Sequence, residues 1–285
     1  SARVGVLGAG GYTGRELIRI LSRHPQVEIG FATSESEAGT SMRTISRDAP
    51  DVPLCPAAEA PLEEMDLVFS CLPHGASIDW VEKIRTAGAR AIDLSADLRV
   101  IGPATPAWAK AAVFGLTELH RDAIAKADLV ANPGCYPTAA TLSLAPLVRR
   151  EMIANVPVII NAASGVTGAG RSPRREMLFA EVGEDYRAYA VGNTHRHLAE
   201  MRDQIAKLAP GAPPELIFAP HLLPIRRGIL ETIYITLKAD VDVEAAIASY
   251  GEDYADEPFV EVLPGGSPKL VDVVGTNLTI IAPNV

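Results

Sequence analysis

Apolar and polar positions along the chain repeat with two different periods, and the change from one to the other divides the sequence. Unbroken apolar runs at 3–7, 27–32, 66–72, 90–94 and 128–131 have the length and composition of strands buried on both faces. Between them, the residues from Arg15 to Leu21 and from Ser77 to Thr86 space their apolar positions as helices do. Strand and helix in alternation predict a parallel sheet covered by helices on both faces. A further helical pattern over 139–151 closes this series. Beyond it, extended stretches at 156–162, 214–219, 228–238 and 260–263 follow with few helical patterns between them, one of which covers 240–249. That order predicts an α+β domain with a mostly antiparallel or mixed sheet. The expected organisation is a doubly wound α/β domain over 1–137 and an α+β domain over 138–285. No repeat or low-complexity linker separates them, so the boundary is a hinge between packed domains.

A chain of 285 residues has room for two such cores, and 48% hydrophobic with 21% charged residues is globular rather than disordered composition. The net charge of −9 argues against nucleic acid or an anionic membrane as a general partner. Anions would be held only where arginines gather, as at Arg171, Arg174 and Arg175. Cys55, Cys71 and Cys135 are odd in number, far apart and without a CxxC pair, which fits a reducing compartment and no cysteine-built zinc site. No apolar run has the length to cross a bilayer, and the buried-strand pattern begins at Arg3 with no targeting segment visible before it. The expected location is the cytoplasm.

Candidate chemistry gathers at the strand ends. The first strand runs directly into Gly8-Ala9-Gly10-Gly11-Tyr12-Thr13-Gly14 and then a helix, the context a dinucleotide fingerprint requires. Gly8 permits the tight turn, Gly11 lets backbone approach a pyrophosphate, and Gly14 lets helix and sheet pack closely. The spacing is GxxGxxG; read as GxGxxG it fails, because Thr13 occupies the last position, and a purely structural turn is the bland alternative. The second strand ends in Thr33-Ser34, hydroxyls that a 2′-phosphate accepts, where an NAD site usually has an acid. NADP is therefore expected, with Glu35 as the competing signal. Gly8, Thr33, Pro73, Ser95 and Asn132 all follow strand ends and should share one rim with Leu72 and His74. Cys71 on that rim reads as a core thiol, and His74 as a loop donor to cofactor or backbone.

Cys135 stands between a short apolar strand, broken by Pro133-Gly134, and the next helical pattern, which Pro137-Thr138 lead into. Unpaired N–H groups at such a junction favour the thiolate and can stabilise an oxyanion. The alternative is a small buried hydrophobe. A nucleophilic cysteine needs an acid/base partner, and the segment 189–200 offers His195, with Thr194 positioned to cap a helix there, and His197. Two residues apart, the two histidines cannot share a helical face, and no third ligand lies at metal spacing, so no metal is expected. The loop Ser164–Arg171 is small-residue-rich and would let backbone approach a ligand, or simply be mobile. Arg226-Arg227-Gly228 lies at the mouth of a strand.

Together these residues resemble the N-acetyl-γ-glutamyl-phosphate reductases, relatives of the aspartate-semialdehyde dehydrogenases. The resemblance is carried by GAGGYTG at 8–14, Leu72-Pro73-His74-Gly75, DLSADLR at 93–99, NPGCYPT at 132–138, SGVTGAGR at 164–171, HRHLAE at 195–200, Arg227-Gly228 and VGTN at 274–277. It implies a Rossmann domain plus an α+β domain of the phosphorylating aldehyde dehydrogenase type, assembled as a dimer or tetramer. It also implies a small acyl-phosphate substrate, NADPH as reductant and Cys135 as a nucleophile that passes through a thioester. His195 is the implied acid/base partner and His197 the runner-up. Arg99 and Arg227 would hold anions, with Tyr189, His197 and Glu200 in the substrate pocket. Gly8, Gly10, Gly11, Tyr12, Thr13, Gly14, Thr33, Ser34, Leu72, Pro73, His74, Ser164 and Gly165 would meet the cofactor.

Three departures stand out. The segment 101–114 is shorter than the family's, Thr117 replaces a proline, and no DNLVKGA–GQA-type strand and helix follows VGTN to return to the cofactor domain. Two other functions fit the same residues: the related reductase acting on a carrier-linked aminoadipyl phosphate, and a non-catalytic dinucleotide sensor.

Overall fold

The computed structural model describes residues 1–285, and the chain divides into two compact units, Ser1–Pro133 and Gly134–Val285. The division precedes Cys135, where the apolar pattern had placed it after Pro137, because the helix opening at Cys135 packs within the second unit.

The first unit contains strands β1 (Ala2–Leu7), β2 (Val27–Ala32), β3 (Leu67–Ser70), β4 (Arg90–Asp93), β5 (Val113–Phe114) and β6 (Leu129–Ala131). They form one six-stranded sheet in the order β2-β1-β3-β4-β6-β5, parallel throughout. Helices α1 (Tyr12–Leu21), α2 (Ser77–Thr86) and α3 (Thr117–Lys126) complete it. Two apolar clusters explain the unbroken strand runs: Val4, Val6 and Ile29 pack with Ile18 of α1, while Leu7, Val68 and Ala91 pack with Val81 and Ile84 of α2. Strand order reverses between β1 and β3, and such a switch point is where open α/β sheets bind ligands, beyond the carboxyl ends of the strands. Gly8, Thr33, Pro73, Ser95 and Asn132 all lie on that rim, as the sequence predicts. The apolar pattern misses β5, which is two residues long, and α3, which buries no residue and so shows no apolar stripe.

The second unit opens with α4 (Cys135–Arg149), followed by β7 (Val158–Gly165), α5 (Phe179–Val182), β8 (Arg187–Ala188), α6 (His197–Leu208), β9 (Leu216–Leu223) and β10 (Ile229–Tyr234). Then come α7 (Val243–Tyr254), β11 (Val260–Val262), α8 (Leu270–Val273) and β12 (Thr279–Ile281). Its main sheet, ordered β10-β7-β9-β8, is mixed: β7 runs parallel to β9 and antiparallel to β10. Period-2 alternation buries Val158, Ile160, Leu216 and Phe218 on one face and leaves Ile159, Ile217, Leu230 and Tyr234 exposed on the other. No helix is long and apolar enough to cross a membrane.

Helix α4 begins four residues before the helical pattern suggests. Pro137 lies in its first turn, where a missing N–H costs nothing. Pro146 is different: in the helix interior it removes the bond that would reach the Leu142 carbonyl. The buried Tyr254 hydroxyl of α7 supplies the missing donor to Leu142 O at 2.5 Å, and Tyr250 donates to the Ser143 carbonyl at 2.8 Å. Tyr254→Phe should therefore destabilise the protein by about 1–3 kcal/mol, the cost of a buried unsatisfied carbonyl. Urea unfolding measures it; a loss below about 0.5 kcal/mol would mean that Leu142 has another donor.

A second buried group sets a pH dependence. Glu231 on β10 sits opposite Ala162 of β7, on the covered side of the sheet, and neither of its carboxyl oxygens has a hydrogen-bond partner. Burial holds this carboxyl well above its ordinary value of 4.5. The folded protein thus keeps a proton that the unfolded chain releases above that value, so stability falls as pH rises from there. Glu231→Gln should flatten the decline between pH 5 and 8 and raise the melting temperature most at the alkaline end. Parallel wild-type and variant curves would show that the carboxyl is ionised in the fold.

Candidate active site

Cys135 is the first residue of α4, with Gly134 as its extended N-cap residue, and its side chain is exposed. The sequence pattern had left it in the turn before the helix. Its actual position puts the sulfur in the first turn, where backbone N–H groups point outward without intrahelical acceptors. Two contacts fix the turn. Glu200 of α6, buried at 3% exposure, accepts the Gly134 N–H at 2.7 Å, and Thr138 donates its hydroxyl to the Gly134 carbonyl at 2.9 Å. Glu200, expected in the substrate pocket, is placed as a clamp on the backbone beside the nucleophile candidate.

The neighbouring Tyr136 is buried and organises the rest. Its hydroxyl donates to Ser164 Oγ at 2.8 Å and shares a hydrogen bond with Tyr189 at 2.9 Å. Its ring meets His195, His197 and Phe218 edge-on, at centroid distances of 5.6, 5.8 and 5.1 Å. Burial raises the Tyr136 phenol, so it stays a neutral donor. Cys135, Ser164, Gly165, Tyr189, His195 and His197 all line one cavity of about 700 Å³ in this unit. The sequence named each of these six but missed Tyr136 and Phe218, which look like ordinary core aromatics. Adjacency to Cys135 in the motif was the one available sign for Tyr136.

His195 precedes α6, and Thr194 does not cap that helix; its hydroxyl donates instead to the Val191 carbonyl. The His195 ring takes that place, its Nδ1 accepting the His197 N–H at 3.1 Å. In the neutral ring the proton therefore sits on Nε2. Burial, followed by the Arg196 charge, holds His195 below its usual 6.5.

The expected anion holders separate. Arg99 belongs to the first unit, is 7% exposed, and donates to the carbonyls of Asn132 and Leu94 at 2.8 Å each, bracing the bend before Pro133. Arg227 does not line the cavity; its backbone packs over Gly165. Arg174 of the basic cluster does line it, as does Arg187, whose guanidinium also bonds Asp185 and the carbonyls of Glu176 and Glu181.

In the first unit the glycine turn fits a dinucleotide. Gly8 has φ of 80°, and a Cβ on Gly14 would come within 2.4 Å of the Gly8 carbonyl. A Cβ on Gly11 would meet no protein atom closer than 3.6 Å, so what its bareness keeps clear is open space at the start of α1. Tyr12 and Thr13 open α1, and Leu72 lies against Gly8. His74 accepts the Ala96 N–H at Nδ1, at 2.8 Å. Thr33 is 1% exposed, accepting the Gly8 N–H at 3.0 Å, and Glu35 accepts the Ala57 N–H at 2.9 Å.

Residues 3–127 match the model of the semialdehyde dehydrogenase NAD-binding domain, and residues 135–285 that of the semialdehyde dehydrogenase dimerisation domain. N-acetyl-gamma-glutamyl-phosphate reductase of Pelobacter propionicus is 43% identical over 99% of this chain and 86% of its own length. The enzyme of the same name from Neisseria gonorrhoeae is 41% identical over 98% of this chain and 84% of its own. The chain belongs to the N-acetyl-gamma-glutamyl-phosphate reductase family. Among solved structures, aspartate semialdehyde dehydrogenase II of Vibrio cholerae shares the fold with a TM-score of 0.77 at 16% identity, over 98% of this chain and 87% of that one. A probable aspartate-semialdehyde dehydrogenase from Pseudomonas aeruginosa does so with 0.73 at 19%, over 98% and 86%. Fold class and family thus stand as the sequence implied.

The three thiols have unequal surroundings. Cys135 is exposed, whereas burial and then Asp93 push the Cys71 thiol up to about 12, and burial and then Glu59 raise Cys55. Iodoacetamide near pH 7 should label Cys135 first, as read by peptide mass spectrometry. Equal rates at the three sites would contradict this ordering.

Proposed function

We propose that the chain reduces N-acetyl-γ-glutamyl phosphate to N-acetylglutamate semialdehyde and phosphate, with NADPH, through a thioester on Cys135. The observation that carries this reading is the opening of Cys135 and His195 onto one cavity lined by arginine, in a chain whose glycine turn fits a dinucleotide. The thiolate of Cys135 attacks the acyl carbon, the bond to the phosphate oxygen breaks, and phosphate leaves with the electron pair. The first turn of α4 favours both the thiolate and the oxyanion of the tetrahedral intermediate. When bound, the nicotinamide would supply a hydride to the thioester carbon; the C–S bond then breaks, and Cys135 leaves as the thiolate as the aldehyde forms.

His195 enters as the acid/base partner, acting first as a proton donor. Its Nδ1 is occupied by the His197 N–H, so Nε2–H is the end that gives a proton to the substrate oxygen and takes it back. Arg174 is the anion holder favoured by position, ahead of Arg227, and Tyr189 orients substrate from the wall shared with His195. Ser164 and Gly165 remain assigned to the cofactor's reactive end, and Gly8 to Gly14 with Leu72 and Pro73 to its pyrophosphate. NADP is supported by the structure of an aspartate semialdehyde dehydrogenase with NADP from Candida albicans, which shares the fold with a TM-score of 0.65 at 16% identity. The exposed face carrying Ile159, Ile217, Leu230 and Tyr234 is our choice of homo-oligomer interface, and the cytoplasm our choice of location.

The assay is phosphate-dependent NADP⁺ reduction with N-acetylglutamate semialdehyde. Cys135→Ala should abolish turnover and leave NADPH affinity within about twofold; appreciable residual turnover would remove Cys135 from the chemistry. His195→Asn should slow thioester formation by roughly 10²-fold or more, and His197→Asn far less. The reverse order would exchange the two roles. Dinucleotide binding without turnover in the wild type would favour a sensor, and turnover only with a carrier-linked substrate the aminoadipyl reading.

A further inference from the structure

The rim beyond β2 contains an ion pair that the active-site chemistry does not use. Arg15 of α1 donates from Nε to the Gly10 carbonyl at 3.3 Å and pairs through its other end with Glu37, both side chains being about three-quarters covered. Glu37 and Ser34 stand against the glycine turn: a Cβ on Gly10 would lie 2.7 Å from Ser34 Oγ and 3.4 Å from a Glu37 carboxyl oxygen. In doubly wound folds the end of the second strand meets the adenosine ribose, an acid there binding the 2′-hydroxyl and an arginine nearby accommodating a 2′-phosphate. Of the groups that the sequence put forward for this task, Thr33 and Glu35 are otherwise engaged. Thr33 is buried on the Gly8 N–H, and Glu35 is turned to Ala57. Arg15 and Glu37 stand beside Ser34 at this corner, one for each cofactor, paired with each other.

We infer that the Arg15–Glu37 pair sets the discrimination between NADPH and NADH, with Arg15 as the residue that holds the 2′-phosphate and Glu37 as its competitor. A dianionic phosphate beside the Glu37 carboxylate would be repelled unless the guanidinium turned to it. Arg15, already anchored by Nε to the Gly10 carbonyl, can make that exchange without leaving the corner. A 2′-hydroxyl has no charge to offer Arg15; it gains a hydrogen bond to Glu37 and leaves the pair intact. Two opposing residues therefore tune one ratio, and each can be tested alone.

The inference rests on the dinucleotide reading of the first unit, and direct binding separates the two. Dissociation constants for NADPH and NADH are measured by cofactor fluorescence, and 2′,5′-ADP is compared with 5′-AMP as a competitor. Thermal melting confirms that each variant is folded. Arg15→Met should weaken NADPH and 2′,5′-ADP by about tenfold or more and leave NADH within about twofold, the size of one charge-assisted contact. Arg15→Lys should fall between, retaining charge without the fork. Glu37→Gln should tighten NADPH severalfold and weaken NADH. Equal effects of Arg15→Met on both cofactors, or none on either, would overturn the assignment while leaving the dinucleotide reading intact. Wild-type protein that binds neither cofactor would overturn both. Should Arg15→Met not fold, a wild-type preference for 2′,5′-ADP over 5′-AMP that fades with salt supports the pair's role, and absence of that preference rejects it.

Discussion

The bond from the Gly134 N–H to Glu200 is the constraint on which the geometry of the candidate site depends. It joins residues 66 apart in sequence, and both partners are buried. Gly134 is the last residue before Cys135, so the carboxylate on α6 decides where the first turn of α4 begins. The same helix carries His197 at its start, and the N–H of His197 holds the His195 ring. One packed pair of helices, α4 against α6, therefore places the thiol, the imidazole and the tautomer of that imidazole together. Tyr136 locks the arrangement from below, touching both histidines with its ring and Ser164 and Tyr189 with its hydroxyl. A neutral His195 follows from this environment: aromatic neighbours desolvate it, and no carboxylate is bonded to its Nδ1 to favour the charged form.

Much of this was legible in the sequence, for physical reasons that differ by element. Strands buried on both faces leave unbroken apolar runs, so five strands of the first sheet were readable, and β5, with two residues, was not. The glycine turn was readable because Gly8 and Gly14 meet steric demands that other residues cannot satisfy. Cys135 and His195 were readable as residue types in a motif, but the contact between their elements was not, since it depends on Glu200 reaching across 66 residues. Arg99 shows the opposite case. A guanidinium suggests an anion ligand, yet two of its N–H groups go to backbone carbonyls at the bend before Pro133. The ribose corner was hard to read for a third reason. Thr33, Ser34, Glu35, Ser36 and Glu37 follow β2, and no period tells which of five adjacent polar residues turns toward the glycine turn.

The distribution of acids across helix starts connects the two units. The chain has 35 acidic residues, and α2, α3, α5, α6, α7 and α8 each carry one in the first turn, where it complements the helix dipole. Only α1 and α4 have none. A carboxylate in such a first turn contributes about 0.3–1 kcal/mol, so both helices forgo a stabilisation that the others take. They are the helices whose first turns the proposed reaction fills with negative charge, the cofactor pyrophosphate at α1 and the thiolate and oxyanion at α4. The unused field at α1 and α4 is then available to the ligand and the reacting groups. In α4 the lost stability is offset elsewhere: Tyr254 and Tyr250 tie its middle to α7, and Glu200 holds its start from a neighbouring helix, bonded to the Gly134 N–H just outside the turn rather than within it.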